Sequence, residues 1–229
     1  MKKLTLSVAA VIAMGTFVIA GGDIAPVEEP MVEVVAPVVD DSGFYIGLGY
    51  SMVNVTKDYD FLSILGSSRG TYKEDNDAIM MQAGYKINQY IAVESRYWKS
   101  VGDADWSDRG DGYDFLGYHT YDLSGTKDYD FKAWGIYVKP MYPVTDALDV
   151  YALLGYGNVV MNYEFYDWLD ENGFQWGLGV SYSFADNFSV FADYVKLYND
   201  DGEIVIDFIA REDWDATIDT WNFGLTYKF

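Results

Sequence analysis

The sequence predicts an all-β fold, an eight-stranded antiparallel up-and-down barrel that crosses a membrane with its strands. From Gly43 to the end of the chain, eight segments alternate between apolar and polar residues, and a period of two residues indicates β-strands. The connections alternate between a few residues and a dozen or more, an asymmetry that is typical of transmembrane barrels. The last segment carries an aromatic or aliphatic residue at every second position up to Phe229.

Composition fits a barrel and disfavours several other classes of protein. Aromatic residues make up 18% of the 229 residues, with 21 Tyr and 7 Trp, and there are 22 Gly; a barrel needs aromatic belts outside and small residues inside. Mean hydropathy is only −0.06, and no run after residue 20 reaches the ~18 apolar residues of a transmembrane helix. The net charge of −21 argues against nucleic-acid binding, which requires Lys and Arg. Without cysteine there is no disulfide framework.

The first 42 residues are predicted to lie outside the barrel. Residues 1–20 combine Lys2 and Lys3 with an apolar run that ends at Ala20, which is typical of a cleaved signal peptide; the alternative is a membrane anchor. Residues 21–42 contain Pro26, Pro30 and Pro37 among Val, Glu and Asp. Prolines at this spacing disfavour both helix and sheet, so the segment is interpreted as an extended linker. The barrel is predicted to occupy residues 43–229.

The first four strands are predicted from their outward apolar faces. Their bounds are Phe44–Val55, Ala78–Ile87, Tyr90–Lys99 and Tyr129–Tyr142. The outward residues are Phe44, Ile46, Leu48, Tyr50 and Met52 in the first, Ile79, Met81, Ala83 and Tyr85 in the second, Ile91, Val93 and Tyr97 in the third, and Trp134, Ile136 and Val138 in the fourth. The residues between them are small or polar, as expected for a narrow lumen.

The last four strands follow the same rule. They are Leu148–Val159, Gly173–Phe184, Phe188–Tyr198 and Thr217–Phe229. The sixth strand is the clearest, because five apolar residues alternate with Gln, Gly and Ser: Trp176, Leu178, Val180, Tyr182 and Phe184. Short turns join strands 2–3, 4–5 and 6–7, whereas long loops are predicted at residues 56–77, 100–128, 160–172 and 199–216. An even number of strands places both ends of the barrel on the side of the short turns.

The final strand carries a resemblance to a known family. Its outward residues are Trp221, Phe223, Leu225, Tyr227 and Phe229. A terminal strand of this kind resembles the C-terminal strand of bacterial outer-membrane β-barrels, and residues 43–229 resemble the small eight-stranded barrels of outer membrane proteins A and X and their porin-like relatives. The resemblance implies that the strand is an assembly signal read by the barrel-assembly machinery. It also implies a monomer in the outer membrane of a Gram-negative bacterium, in contact with lipid and lipopolysaccharide.

Outward aromatic residues are predicted to form two girdles at the membrane interfaces. One set lies on the short-turn side and comprises Phe44, Tyr90, Phe184, Phe188 and Phe229. The other lies toward the long loops and comprises Tyr97, Trp134, Trp176 and Trp221. An aromatic-rich soluble core would not place these residues at two levels.

Four inward charges are the main candidate site. The outward faces of their strands place Glu94, Arg96, Lys139 and Asp193 in the lumen near mid-depth. Charges buried there must be paired or hydrated, and two acids balance two bases. Eight strands enclose little more than side-chain volume. Two interpretations remain open at this point, a packed polar plug and a narrow or gated pore.

The predicted loop at residues 100–128 offers a candidate calcium site and the only histidine. Asp103, Asp105, Asp108, Asp111 and Asp114 are closely spaced among glycines, and carboxylates in such loops can bind Ca²⁺. The spacing departs from an EF-hand, and the alternative is a solvated acidic loop that gathers divalent ions loosely, bridging to lipopolysaccharide phosphates. Because a lone loop histidine, His119, is a poor basis for catalysis, neither an enzyme nor a cofactor is expected.

The sequence therefore predicts a structural, surface-related outer-membrane barrel with acidic external loops. Three other functions remain open: a small diffusion pore for ions or solutes, an adhesin or receptor that acts through the loops, and a soluble ligand-binding barrel. Conductance measurements, loop deletions and solubility without detergent distinguish them.

Overall fold

The computed structural model describes residues 41–128, 130–163, 166–206 and 209–229, without the side chains of residues 163–168 and 206–208. The predicted signal peptide, residues 1–20, and nearly all of the linker at residues 21–42 lie outside these ranges. The described residues form ten strands and no helix, so none of them belongs to a helix that is long and apolar enough to cross a membrane. The strands are β1 Gly43–Ser63, β2 Gly66–Asn88, β3 Ile91–Ser100, β4 Ala104–Asp114, β5 Gly117–Lys127, β6 Asp130–Pro143, β7 Leu148–Tyr163, β8 Tyr166–Ala185, β9 Phe188–Ile206 and β10 Ala210–Lys228.

Eight of the strands close into an antiparallel ring, which confirms the predicted barrel. The order is β1-β10-β9-β8-β7-β6-β3-β2, and pairing of β2 with β1 closes it. The last residue takes part in the closure, since the Phe229 amide donates to the Phe44 carbonyl at 2.9 Å. The short turns lie at residues 89–90, 144–147 and 186–187. Because a closed ring pairs every backbone group within its strands, it satisfies the main requirement of a membrane-spanning sheet.

Burial alternates along the ring as the sequence predicts. In β3, the inward residues Glu94 and Arg96 are 1% and 2% exposed, whereas the outward Val93 and Tyr97 are 42% and 37% exposed. The two predicted aromatic levels also form contacts between strands. Tyr194 lies between Trp176 and Trp221 at ring-centroid distances of 6.0 and 5.4 Å, and Tyr227 lies 5.0 Å from Phe188. The outer surface is therefore an apolar band bordered by aromatic residues.

The prediction of four long loops is wrong, because most of the residues in these ranges form strands. Strand β1 continues to Ser63 and β2 begins at Gly66, so only two residues connect them. Residues 104–127 form a β4–β5 hairpin that pairs with β2 above the end of β3. Beyond the membrane both faces of a strand carry polar residues, so the hydrophobic period disappears although the Tyr, Trp, Thr and Val that favour strands remain.

These extensions build a six-stranded sheet beyond the ring, in the order β5-β4-β2-β1-β10-β9. We call it the upper sheet. Pairing of β8 with β9 ends at Trp176 and Lys196, so β9 continues upward with β10 alone. The β7–β8 hairpin remains separate from this sheet, since β8 pairs only with β7 above Trp176.

The outward face of the upper sheet carries two rows of cross-strand carboxylates. Pairing aligns Asp201, Asp215 and Asp58 in one row, and Glu203, Asp213 and Asp60 in the next. Like charges directly opposite each other destabilise a sheet. In the second row, Arg211 lies 3.2 Å from Glu203 and 2.8 Å from Asp213. The negative charge of the second row is therefore partly neutralised by Arg211.

Neutralising the middle of the first row should stabilise the upper sheet. Asp215 lies between two carboxylates, so Asp215→Asn should raise the stability of the β9–β10 hairpin by about 0.5 kcal/mol. Hydrogen exchange of this hairpin, followed by mass spectrometry, measures the gain. The gain should shrink as salt is added. The control is Asp213→Asn, which loses its contact with Arg211 and should give no gain; equal slowing of exchange in both variants would contradict the expectation.

Candidate functional site

The lumen brings together the four charged residues predicted from the sequence. Glu94 and Arg96 lie on β3, Lys139 lies on β6 and Asp193 lies on β9. Each points inward because both its sequence neighbours belong to the outward face of the same strand. Glu94, Arg96 and Asp193 are at most 2% exposed, and Lys139 is 7% exposed. We call these four residues the lumen cluster.

Arg96 is the centre of the lumen cluster. Its Nη1 and Nη2 atoms donate to Oδ1 and Oδ2 of Asp193 at 2.9 and 2.8 Å, and its Nε donates to Oε1 of Glu94 at 2.5 Å. Lys139 Nζ donates to the other Glu94 oxygen at 2.9 Å. The planar guanidinium thus joins β3 to the opposite side of the ring through a two-point bond, which is the geometry that favours Arg over Lys.

Neutral side chains complete the hydrogen bonding of both carboxylates. Tyr45 donates to Glu94 Oε2 at 2.6 Å, and Tyr151 donates to Asp193 Oδ2 at 2.6 Å. Asn222 donates to Asp193 Oδ1 at 2.8 Å. The four carboxylate oxygens therefore all accept from a cation or a polar side chain. Such pairing offsets the cost of burying charge.

Sequence reasoning missed Tyr45, Tyr151 and Asn222 as members of this site. The signal was present, since Tyr45 and Asn222 occupy inward positions of their strands. Glycines were the other signal: a Cβ on Gly84 would collide with the ring of Tyr45, and one on Gly179 would come within 2.6 Å of the ring of Tyr151. Inward glycines therefore provide the space in which the tyrosine rings cross the lumen.

An apolar layer fills the lumen above the lumen cluster. Its largest members are fully buried: Trp98, Phe131, Met161, Leu197 and Ile218. Trp98 connects the layers, because its indole Nε1 donates to Asn222 Oδ1 at 2.9 Å. Along the lumen, an ionic layer is thus followed by an apolar layer.

A small vestibule lies below the lumen cluster on the short-turn side. The cavity has a volume of about 130 Å³ and is bordered by Lys139, Tyr151 and Ser181. At its mouth Asp41 contacts Lys86 and Lys228 at 2.5 Å. Partial burial of Asp41 opposes ionisation, but hydrogen bonds from Lys228 and Lys86 outweigh it and hold the pKa of this carboxyl below its usual range.

The structure does not support the candidate calcium site. Asp105, Asp108, Asp111 and Asp114 lie along the extended strand β4, and Asp103 precedes it. At about 3.3 Å per residue, the first and last carboxylates are separated by roughly 35 Å of strand. Asp108 accepts from Tyr59 and Asp111 accepts from Arg69. Among the described residues, no group of three or more Asp, Glu or His side chains is placed to hold a metal ion.

His119 lies on strand β5 rather than in a loop, with its Nδ1 atom 3.9 Å from Asp114. Both side chains remain partly exposed, and the distance exceeds that of a hydrogen bond. This geometry does not assemble a recognisable nucleophile and base.

The five residues predicted as the assembly signal all face outward, four on the last strand and Phe229 directly after its end. Trp221, Phe223, Leu225, Tyr227 and Phe229 are between 37% and 68% exposed. They continue the outer apolar band to the end of the chain, next to the closing contact with Phe44. The recognition of these residues during assembly stays a prediction.

Comparisons with known proteins agree with this architecture. The family described as "outer membrane protein beta-barrel domain" matches residues 31–229. The outer membrane protein OprG from Pseudomonas aeruginosa is similar in fold, with 14% identity, a TM-score of 0.53, and coverage of 82% of this chain and 96% of OprG. The outer membrane protein AlkL, whose structure was determined by solid-state NMR in lipid bilayers, has 14% identity and a TM-score of 0.51, over 91% of this chain and 97% of AlkL.

No curated protein matches the chain in sequence. The family match nevertheless covers every strand of the ring and of the upper sheet. The location that follows from the family is the outer membrane. The chain belongs to the outer-membrane β-barrel family.

Proposed function

We propose that this protein is a sealed outer-membrane barrel with a structural role, which displays an acidic sheet at the cell surface. The observation that carries the proposal is the filled lumen. The Arg96–Asp193 pair and Trp98 belong to two consecutive layers that block it. The acidic rows of the upper sheet lie at the end opposite the short turns, which the family orientation directs away from the cell.

The proposed partners follow from this location. We infer that the apolar band contacts acyl chains and that lipopolysaccharide surrounds its upper edge, near Trp134, Trp176 and Trp221. We propose that the barrel is a monomer, since the ring closes on itself, and that the assembly machinery reads the last strand. We propose no enzymatic activity, because His119 is only loosely placed beside Asp114.

Planar-bilayer conductance of the refolded chain tests the sealed barrel. Purified protein should add no current steps above the leak of the lipid alone. Folding is verified on the same sample, because a closed barrel should resist SDS at room temperature and migrate faster unboiled than boiled. A known conducting barrel in the same lipid serves as the positive control.

The second candidate function is a narrow gated pore, and one observation favours it. The vestibule ends directly on Lys139, whose contact with Glu94 would have to open for ions to enter. Regular current steps from correctly folded protein would support this pore and contradict the sealed barrel.

A further inference from the structure

The three hairpins of the upper sheet end in exposed apolar residues. Ile64 and Leu65 at the β1–β2 turn are 74% and 75% exposed, and Phe115 and Leu116 at the β4–β5 turn are 87% and 83% exposed. Ile209, near the β9–β10 turn, is 53% exposed. We call these five residues the apolar tips. The nearer carboxylate row, which contains Asp60 and Asp213, lies four residues below Ile64 and Ile209, so solubility alone does not explain apolar residues at such exposed positions.

Strand register places the apolar tips side by side. The Ile64 amide donates to the Ile209 carbonyl at 3.1 Å, which joins two of the turns. Gly66 pairs with Asp114, which brings Leu65 beside the third turn. The tips therefore form one continuous row along the far edge of the sheet. A continuous exposed apolar surface in a folded protein generally marks an interaction site.

Tyrosine and arginine side chains lie just below the tips. Tyr113 and Tyr118 form a cross-strand pair just below Phe115, with ring centroids 5.2 Å apart. Strand pairing places Arg211 in the same row as this pair, and Arg69 lies two residues further down β2; their side chains are 53% and 71% exposed. Tyr and Arg combine an apolar body with a polar end, which suits both residue types to a membrane interface.

The shape and charge of this edge define its partner. The tips protrude from narrow turns, so they fit a soft acyl layer better than a preformed protein pocket. The two carboxylate rows disfavour anionic surfaces. The tips also lie far from the membrane that holds the barrel. Ile64 comes 12 residues after Met52, which pairs with Trp221 of the upper aromatic girdle. Twelve residues of strand span roughly 40 Å.

We propose that the apolar tips insert into an apposed lipid surface with neutral head groups, and so attach the cell to a second membrane. Phe115 and Leu116 reach furthest into the acyl region. Tyr113 and Tyr118 lie at the head groups, and the carboxylate rows remain in water. This attachment goes beyond the structural role proposed above and does not depend on whether the lumen conducts.

Flotation with vesicles tests the attachment. The refolded full-length chain in nanodiscs is mixed with pure phosphatidylcholine vesicles, and the co-floating fraction is measured across a lipid titration. Wild type should float with the vesicles. The double variant Phe115→Asp with Leu116→Asp should need at least tenfold more lipid. Gly117 has a φ of 112° and Asp114 accepts a hydrogen bond from the Leu116 amide. Because the variant changes neither feature, the conformation of the turn should be preserved.

Two further variants keep the test independent of misfolding. Ile64→Asp with Leu65→Asp alters the neighbouring turn and should weaken flotation similarly. Val144→Asp alters an exposed apolar residue, 51% exposed, at the opposite end of the barrel, and should float like wild type. All variants must show the heat-dependent shift in gel mobility.

Three results would overturn the proposal. The first is a wild-type protein that does not float with phosphatidylcholine vesicles. The second is flotation that survives both double variants. The third is flotation with cationic vesicles only, which would assign binding to the carboxylate rows. Conductance measured on the same samples tests the sealed lumen separately, so failure of one proposal is distinguishable from failure of the other.

Discussion

Arg96→Ala should destabilise the barrel by about 3–5 kcal/mol, because it leaves buried acids without their main partner. The variant keeps Glu94 and Asp193, but only Lys139 remains to balance them. Asp193 retains its bonds from Tyr151 and Asn222, yet neutral donors do not compensate a full charge in the lumen. Urea unfolding and refolding in lipid vesicles measures the loss.

A double variant separates loss of the ion pair from loss of packing. Arg96→Ala with Asp193→Ala leaves Glu94 and Lys139 as a balanced pair at 2.9 Å. It should therefore be more stable than Arg96→Ala alone. The exposed pair of Arg109 and Asp122 is the control: Arg109→Ala should cost less than about 1 kcal/mol.

Conductance gives a second measurement on the same proteins. If the lumen cluster blocks the lumen, Arg96→Ala should raise current by admitting water. Strictly additive losses of stability, together with unchanged conductance, would show that the lumen cluster does not act as a unit.

The lumen cluster was predictable because strands in a membrane have an unambiguous outward face. Val93 and Tyr97 must face lipid, so Glu94 and Arg96 must face the lumen. The ring order then places β3 and β9 on opposite sides, close enough for a long side chain to cross. Inward position marks the neutral residues that could complete the site, but which of them meets which charge was not predictable, since it depends on the relative heights of strands far apart in sequence. Asn222 meets Asp193 only because β10 pairs with β9 in one particular register.

The upper sheet was not predictable from hydrophobic periodicity. Residues 56–77 carry charges on both faces, as in Lys57 and Asp58, so the pattern resembles a loop. Instead, β1 keeps beyond the membrane the same register with β10 and β2 that it has inside the membrane, so Asp58 lies opposite Asp215 and Thr71. The β4–β5 hairpin then extends the sheet by pairing along β2. A hairpin formed mainly by backbone pairing between polar strands leaves only a weak signal in the sequence.

Val180→Arg should prevent insertion far more strongly than Ser181→Arg, although the two positions are adjacent. Val180 lies on the outward face of β8, midway between Trp176 and Phe184, and is 44% exposed to the surroundings of the barrel. An Arg at this depth should cost about 2–4 kcal/mol in a bilayer. Folding yield in phospholipid vesicles, measured from the unboiled gel band, gives the comparison.

Ser181 faces the opposite side and borders the vestibule of about 130 Å³. An Arg placed there has space and water toward the short-turn side, and Asp149, another lining residue, lies directly across in the register with β7. The penalty should therefore be crowding alone. Val180→Leu is the control for the outward position and should fold like wild type, since it stays apolar. Equal yields for Val180→Arg and Ser181→Arg in the same lipid would mean that the two faces of β8 are assigned the wrong way or that the strand does not cross the acyl layer.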